Sequence, residues 1–246
     1  MFRLWILSTY RTTRRTCRKT CRLHSLVGGL CTQGFSSSNS LPASGDIRNI
    51  ITTVNALGTD YSGKLNILLN DQNPCVVSRN IALLLILGTI PDEVVAADIA
   101  LHFWYSVFMP MEYRLRILSM VSTLLKKGNS AGPIVTSLGP HSTLTCLVSS
   151  DVQRLLIENV GPVMTPDQAQ IEYKRVRKAP SRVDFQDRMY MGLKPSHRLS
   201  FLEYRRFGII LPFGALNAHC NVPNPSLFSD GVWLQTDFAD PLESWE

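Results

Sequence analysis

The chain has 246 residues, 45% of them hydrophobic and 18% charged. That balance supports a sizeable core and excludes wholesale disorder. Six cysteines (Cys17, Cys21, Cys31, Cys75, Cys146 and Cys220) are too few and too scattered for a disulfide framework. No apolar run approaches the ~20 residues that a membrane-spanning helix needs, so no membrane span is expected. The formal charge of +6 belongs to the start of the chain: residues 1–45 hold seven basic residues and no acid, and the remainder carries 18 basic against 19 acidic residues. A near-neutral remainder argues against nucleic acid as a partner, because phosphate binding wants basic charge clustered on the folded part. Only Lys174-Arg175-Val176-Arg177-Lys178 is locally basic, and such runs are usually solvated.

Residues 1–40 read as a basic, disordered leader. They are rich in Arg, Ser and Thr and lack acids, in the manner of mitochondrial transit peptides. Arg11, Arg14 or Arg15, Arg18 and Arg22 would form one stripe on a helix, beside apolar Phe2, Leu4, Trp5, Ile6 and Leu7. The address expected is mitochondrial if this leader is a transit peptide and cytoplasmic otherwise. Cys17, Cys21 and His24 fall at i, i+4 and i+7. Zinc sites want four ligands in short-spaced pairs, however, and Cys31 is the only nearby fourth, so no metal is expected.

Gly34 to Ser40 has linker composition and marks the start of a domain spanning 41–246. Apolar residues at 47, 50, 51 and 54 predict a helix capped by Ser44 or Asp46, with Gly45 in the turn before it. Lys64 to Asp71 predicts a buried strand. Asn73-Pro74 opens a helix to about Leu87, with Gly88 as its stop. Pro91-Asp92-Glu93 opens another through Phe108, and Tyr113 to Lys127 forms a third, ending in cations that suit the negative end of its dipole. Ser142 to Val148 reads as a strand and Asp151 to Val160 as a helix. Helix is also expected over 182–207, split at Gly192 and Pro195, with strand-like pieces at 209–212, 219–222 and 232–235. Strands alternating with helical patterns predict an α/β fold: a Rossmann-like parallel sheet flanked by helices, with an irregular α+β C-terminal part.

In such a sheet, ligands sit at the carboxyl ends of the strands. This singles out Gly45 and Asp46 after the first strand and Asp71 at the end of the second, where an acid can accept hydrogen bonds from a ribose. The glycine is single where a dinucleotide fingerprint has three, and both acids equally suit a helix cap and a turn. Arg48 and Arg79 stand early in the flanking helices and either neutralise an anion or pair with Asp46 and Asp71. His102 lies in an apolar helix, where a core role is commoner than a catalytic one. Cys75 sits at a helix start, where a thiol pKa can fall, but lacks an accompanying base. The chain contains no GxSxG, Walker loop or HExxH.

Gly45 to Ile51, Leu65 to Asp71, Val77-Ser78-Arg79-Asn80-Ile81-Ala82-Leu83-Leu84 and His102-Phe103-Trp104-Tyr105-Ser106 together resemble an uncharacterised domain. That domain occurs in fungal proteins, some with a MYND-type zinc finger, and in the N-terminal region of dynein axonemal assembly factor three. Phe201 to Gly208 and Val222-Pro223-Asn224-Pro225-Ser226-Leu227 resemble a later part of the same assembly factor. The resemblance implies a fold like class I S-adenosylmethionine-dependent methyltransferases and no established reaction. Two departures stand out: the finger's paired cysteines are missing, and the segment before Gly45, Phe35 to Ser40, is polar where an apolar strand is expected.

The function expected is therefore a non-catalytic interaction or assembly module with protein partners. The alternative is an S-adenosylmethionine-dependent methyltransferase whose cofactor is held by Gly45, Asp46 and Asp71, and a third reading is a mitochondrial accessory protein.

Overall fold

A computed structural model describes residues 2–8, 36–42, 47–57, 63–71, 73–128, 132–161, 164–177, 190–211, 217–229 and 232–233. Two strands come first, β1 (Phe2–Ser8) and β2 (Ser36–Pro42), then helix α1 (Arg48–Asn55) and strand β3 (Lys64–Asp71). Three helices follow: α2 (Pro74–Thr89), α3 (Glu93–Tyr105) and, after the short β4 (Phe108–Met109), α4 (Met111–Lys127). Next are β5 (Ile134–Ser137), β6 (Ser142–Leu147), α5 (Ser150–Glu158), α6 (Pro166–Arg177) and α7 (Pro195–Phe207). The short strands β7 (Val222–Pro223), β8 (Phe228–Ser229) and β9 (Val232–Trp233) complete the described chain.

The Rossmann-like, methyltransferase-like parallel sheet is not what forms. The main sheet is mixed, in the order β2-β3-β1-β6-β5, and β5 runs antiparallel to β6. A Rossmann winding places the first strand beside the second and fourth; here β1 lies between β3 and β6, paired parallel to both. The physical reason lies in the connections. Only residues 138–141 join β5 to β6, far too few for the crossover that parallel neighbours require. Between β3 and β5 the described residues build α2, α3 and α4 and no further strand of this sheet. The remaining strand pairs, β4 with β7 and β8 with β9, are separate two-stranded antiparallel sheets.

The polar segment before Gly45 finds its place here. β2 is an edge strand, paired on one side with β3, and an edge tolerates polar residues because one of its sides faces away from the ladder. Of the segment read as a leader, residues 9–35 lie outside the described residues.

α2 is the centre of the core. Asn73 accepts the Cys75 N–H at 2.9 Å and Pro74 occupies the first turn, so the start is fixed locally. From Val76 to Ala82 every residue is buried, as are Leu83, Leu85 and Ile86, because α3, α4, α5 and the sheet all pack against this helix. A helix apolar on all sides is stable only when so enclosed. The helix runs through the expected stop: Gly88 allows close approach instead, since a Cβ there would lie 2.6 Å from Leu138 Cβ. Asp92 caps α3 through the N–H groups of Val94 and Val95. Thr165 and Gln168 form a reciprocal capping box at the start of α6, a helix the periodicity reading passed over.

A second, smaller cluster joins Val107 and Phe108 to Ala169 and Tyr173 of α6, with Ile209 and Leu227. Gly208 stands where α7 meets it, with φ +71°. A Cβ there would lie 2.9 Å from Val107 Cγ2, so both backbone conformation and space require glycine.

Candidate functional site

Of the three residues predicted to hold a cofactor, Asp71 is placed; Gly45 and Asp46 lie outside the described residues. Asp71 ends β3 in register with Ser8 of β1, at the carboxyl edge of the sheet. Its Oδ1 accepts the Asn73 N–H at 2.8 Å, and Asn73 in turn caps α2. The carboxylate thus closes the strand-to-helix turn. Cys75 follows it, half-buried, with the Ser78 hydroxyl donating to its carbonyl at 2.9 Å. Arg79 points elsewhere: it is buried, and its Nη2 donates to the Trp104 carbonyl at 3.0 Å.

That contact leads to the most developed polar constellation among the described residues, at the C-terminal end of α3. The last carbonyls of a helix lack intrahelical donors and must find them elsewhere or face water. Here each is met. The Ser106 N–H reaches the His102 carbonyl at 2.9 Å. Asn224 Nδ2 donates to the carbonyls of Phe103 at 2.8 Å and Ser106 at 2.9 Å. Arg79 takes Trp104, and the Tyr204 hydroxyl takes Tyr105 at 2.8 Å. Asn224 is itself held by Ser226, whose hydroxyl donates to Asn224 Oδ1 at 2.7 Å. Tyr204 is anchored in turn, its carbonyl accepting the Tyr173 hydroxyl at 2.8 Å. Backbone bonds then seal the chain around Val107, whose N–H donates to Gly208 and whose carbonyl accepts from Asn224.

Four of the segments that carry the sequence resemblance (77–84, 102–106, 201–208 and 222–227) therefore meet at one helix end. Arg79 and the His102–Ser106 run stand out in the sequence, but nothing local says that the first serves the second or that Tyr204, Asn224 and Ser226 join them. An available signal was Asn224 itself, an amide between two prolines with a serine two residues on, a segment built for a side chain to cap something.

His102 faces the other side of this junction. Its ring is buried and lies edge-on to Tyr113 at 5.6 Å between centroids, and Nε2 is 4.0 Å from Asp98 Oδ1. Nδ1 is buried without a hydrogen-bond partner. The Tyr113 hydroxyl donates to the other Asp98 oxygen. Burial holds His102 below its ordinary pKa of 6.5, outweighing the attraction of Asp98. Burial, followed by Asp98, pushes Tyr113 up to about 12. The Cys220 thiol is raised by the same two causes in the same order. The phenol and the thiol thus stay protonated near neutral pH and are not activated as nucleophiles, while the imidazole is neutral, its proton-accepting form, and is buried.

The set does predict an acid response. Because the folded ring resists the proton, the unfolded chain binds it first. The stability that neutral His102 contributes is present above pH 6.5 and is lost as the pH falls through the lowered folded value. Urea melts at pH 7.5, 6.5 and 5.5 are expected to show a steeper loss for the wild type than for His102→Gln. Parallel pH profiles for the two proteins would contradict this.

Among the described residues no group of three or more potential ligands is arranged to hold a metal ion, and no helix is long and apolar enough to cross a membrane. The fold and this junction define a helix-rich chain with a mixed sheet, built around a helix that is buried from Val76 to Leu83 and again at Leu85 and Ile86. Residues 30–109 match a family model described as a domain of unknown function, DUF4470, a match that ends with β4 and covers well under half of the chain. No curated protein and no solved structure matches the chain significantly.

Proposed function

We propose that this chain is a non-catalytic protein-interaction or assembly module. The observation that carries the reading is the contrast between inside and surface. Asp71, Arg79, Tyr204, Asn224 and Ser226 are engaged in turns and helix ends of the fold itself. By contrast, Met111, Leu115 and Leu118 stand in solvent on a single face of α4, at 50, 55 and 39% exposure. Apolar side chains grouped on a surface mark contact sites, and polar groups satisfied internally have little left for a substrate. The resemblance to an assembly factor points the same way.

The competing reading, a methyltransferase in which Gly45, Asp46 and Asp71 bind S-adenosylmethionine, is tested by calorimetry. Titration with S-adenosylmethionine is expected to give no saturable heat. Micromolar binding that disappears in Asp71→Ala would overturn the proposal. In parallel, proteins captured by the wild type but lost with Leu115→Arg/Leu118→Glu, at unchanged circular dichroism, are the expected positive result.

A further inference from the structure

α4 is amphipathic in an unusual sense, with two apolar faces. Ile117, Val121 and Leu124 are buried against the core. Met111, Leu115 and Leu118, at i, i+4 and i+7, form a second, exposed stripe about 120° round the same helix. Exposed Ser119 and half-buried Ser122 keep the neighbouring surface small, and Leu125 beyond them packs against the core. At 1.5 Å per residue the helix is about 25 Å long, enough for several turns of side-chain packing.

The charges at its two ends differ in sign. Glu112 stands in the first turn and Lys126 in the last, both exposed. Fourteen residues apart, at 100° each, they fall on the same flank of the outer stripe. When two such helices pair antiparallel about a two-fold axis near Ser119, like flanks meet, so Glu112 of each copy comes to Lys126 of the other. The helix dipoles then also oppose favourably. In a parallel pair like flanks fall on opposite sides of the seam, so Glu112 and Lys126 gain no facing partner from the second copy. Glu112 already pairs with Arg116 of its own helix at 2.7 Å, but both side chains remain largely in solvent and open to a second partner.

We infer that α4 is a self-association surface through which the chain pairs with a second copy of itself, the two α4 helices antiparallel. The inference rests on the interaction-module reading and names its partner. Self-complementary charge around an apolar stripe is what an isologous two-fold contact requires, with Leu118 of the two copies meeting at the axis and Leu115 and Met111 extending the contact toward the helix ends.

The test is sedimentation velocity of the full chain over a concentration series. The wild type is expected to dimerise, and Leu115→Arg/Leu118→Glu to sediment as a monomer with an unchanged melting profile, since both positions are exposed. Glu112→Lys and Lys126→Glu are each expected to weaken dimerisation about tenfold, because each turns two attractive contacts per dimer into repulsions. The double reversal, Glu112→Lys/Lys126→Glu, is expected to restore it. A wild type that stays monomeric, a dimer that survives Leu115→Arg/Leu118→Glu, or a double reversal no better than the single ones would each overturn the inference. A monomeric wild type that still captures a different protein through Leu115 and Leu118 would refute self-association while leaving the interaction module standing.

Discussion

Expressed alone, residues 30–109 are expected to give no cooperative unfolding transition, although they are the part that matches a family model. The reason is the position of α2. Its buried side chains pack into one cluster with Ile117, Val121 and Leu124 of α4, Leu144 of β6, and Val152 and Leu156 of α5, all beyond the fragment. Fully burying such a side chain is worth roughly 2 kcal/mol, so losing these six contacts alone removes on the order of 10 kcal/mol. Whole domains are stable by about 5–15 kcal/mol. The fragment also leaves the carbonyls of Phe103, Tyr105 and Ser106 without Asn224 and Tyr204. Expected observations are a shallow thermal melt by circular dichroism and strong binding of a hydrophobic dye, against a sharp melt for the full chain. A sharp melt of the fragment would show that the matched region is autonomous and that the rest is an addition to it.

How far the sequence foretold this structure depends on how local each signal is. β3, α2, α3 and α4 follow from residues close by: Asn73-Pro74 and Asp92 mark starts, and the apolar runs set the type. Where the reading failed, the deciding partner lies far along the chain. Phe2–Ser8 is apolar enough for a strand, but the arginines after it dominate a composition-based reading, and its place depends on β3 and β6, more than fifty residues on. The order of the sheet is likewise non-local. A local clue was the short link through Gly139-Pro140, which dictates an antiparallel β5–β6 pair and so a mixed sheet. α6 buries only Ala169 and Tyr173 among its described side chains and leaves Ile171 in solvent, so no apolar stripe announces it, although Thr165-Pro166-Asp167-Gln168 spells a capping box.

The same distinction governs the site. Asp71 was found at the carboxyl edge because a strand end followed by an N-cap is a local pattern, and a turn-closing hydrogen bond is what that pattern delivers there. The junction at the end of α3 was not foreseen, because its donors come from positions 79, 204, 224 and 226. Only Asn224, set between two prolines with Ser226 two residues on, stands out beside its own neighbours. What joins them is that a buried helix end must satisfy its carbonyls, and that rule does not say which distant residues will do it.

Asn224 gives that rule a measurable form. Its side chain is fully buried, donates to the carbonyls of Phe103 and Ser106, and accepts from the Ser226 hydroxyl. Asn224→Ala removes the donor to the Ser106 carbonyl and the shorter of two donors to Phe103, which keeps the Ser226 hydroxyl at 3.2 Å, and it opens a buried gap; each unmet group costs about 1–3 kcal/mol. The expected total is about 3 kcal/mol or more, which for a chain of this size lowers the melting temperature by about 10 °C. Asn224→Asp separates hydrogen bonding from packing. It keeps the shape but turns a donating amide into an oxygen facing two carbonyls, so it is expected to destabilise at least as much as alanine. Asp71→Ala, in a turn that is only partly buried, is expected to cost less than about 1 kcal/mol. If Asn224→Asp melts near the wild type while Asn224→Ala does not, packing rather than donation holds the 222–227 segment to α3. If both variants melt near the wild type, the junction is a consequence of the fold rather than a cause of its stability.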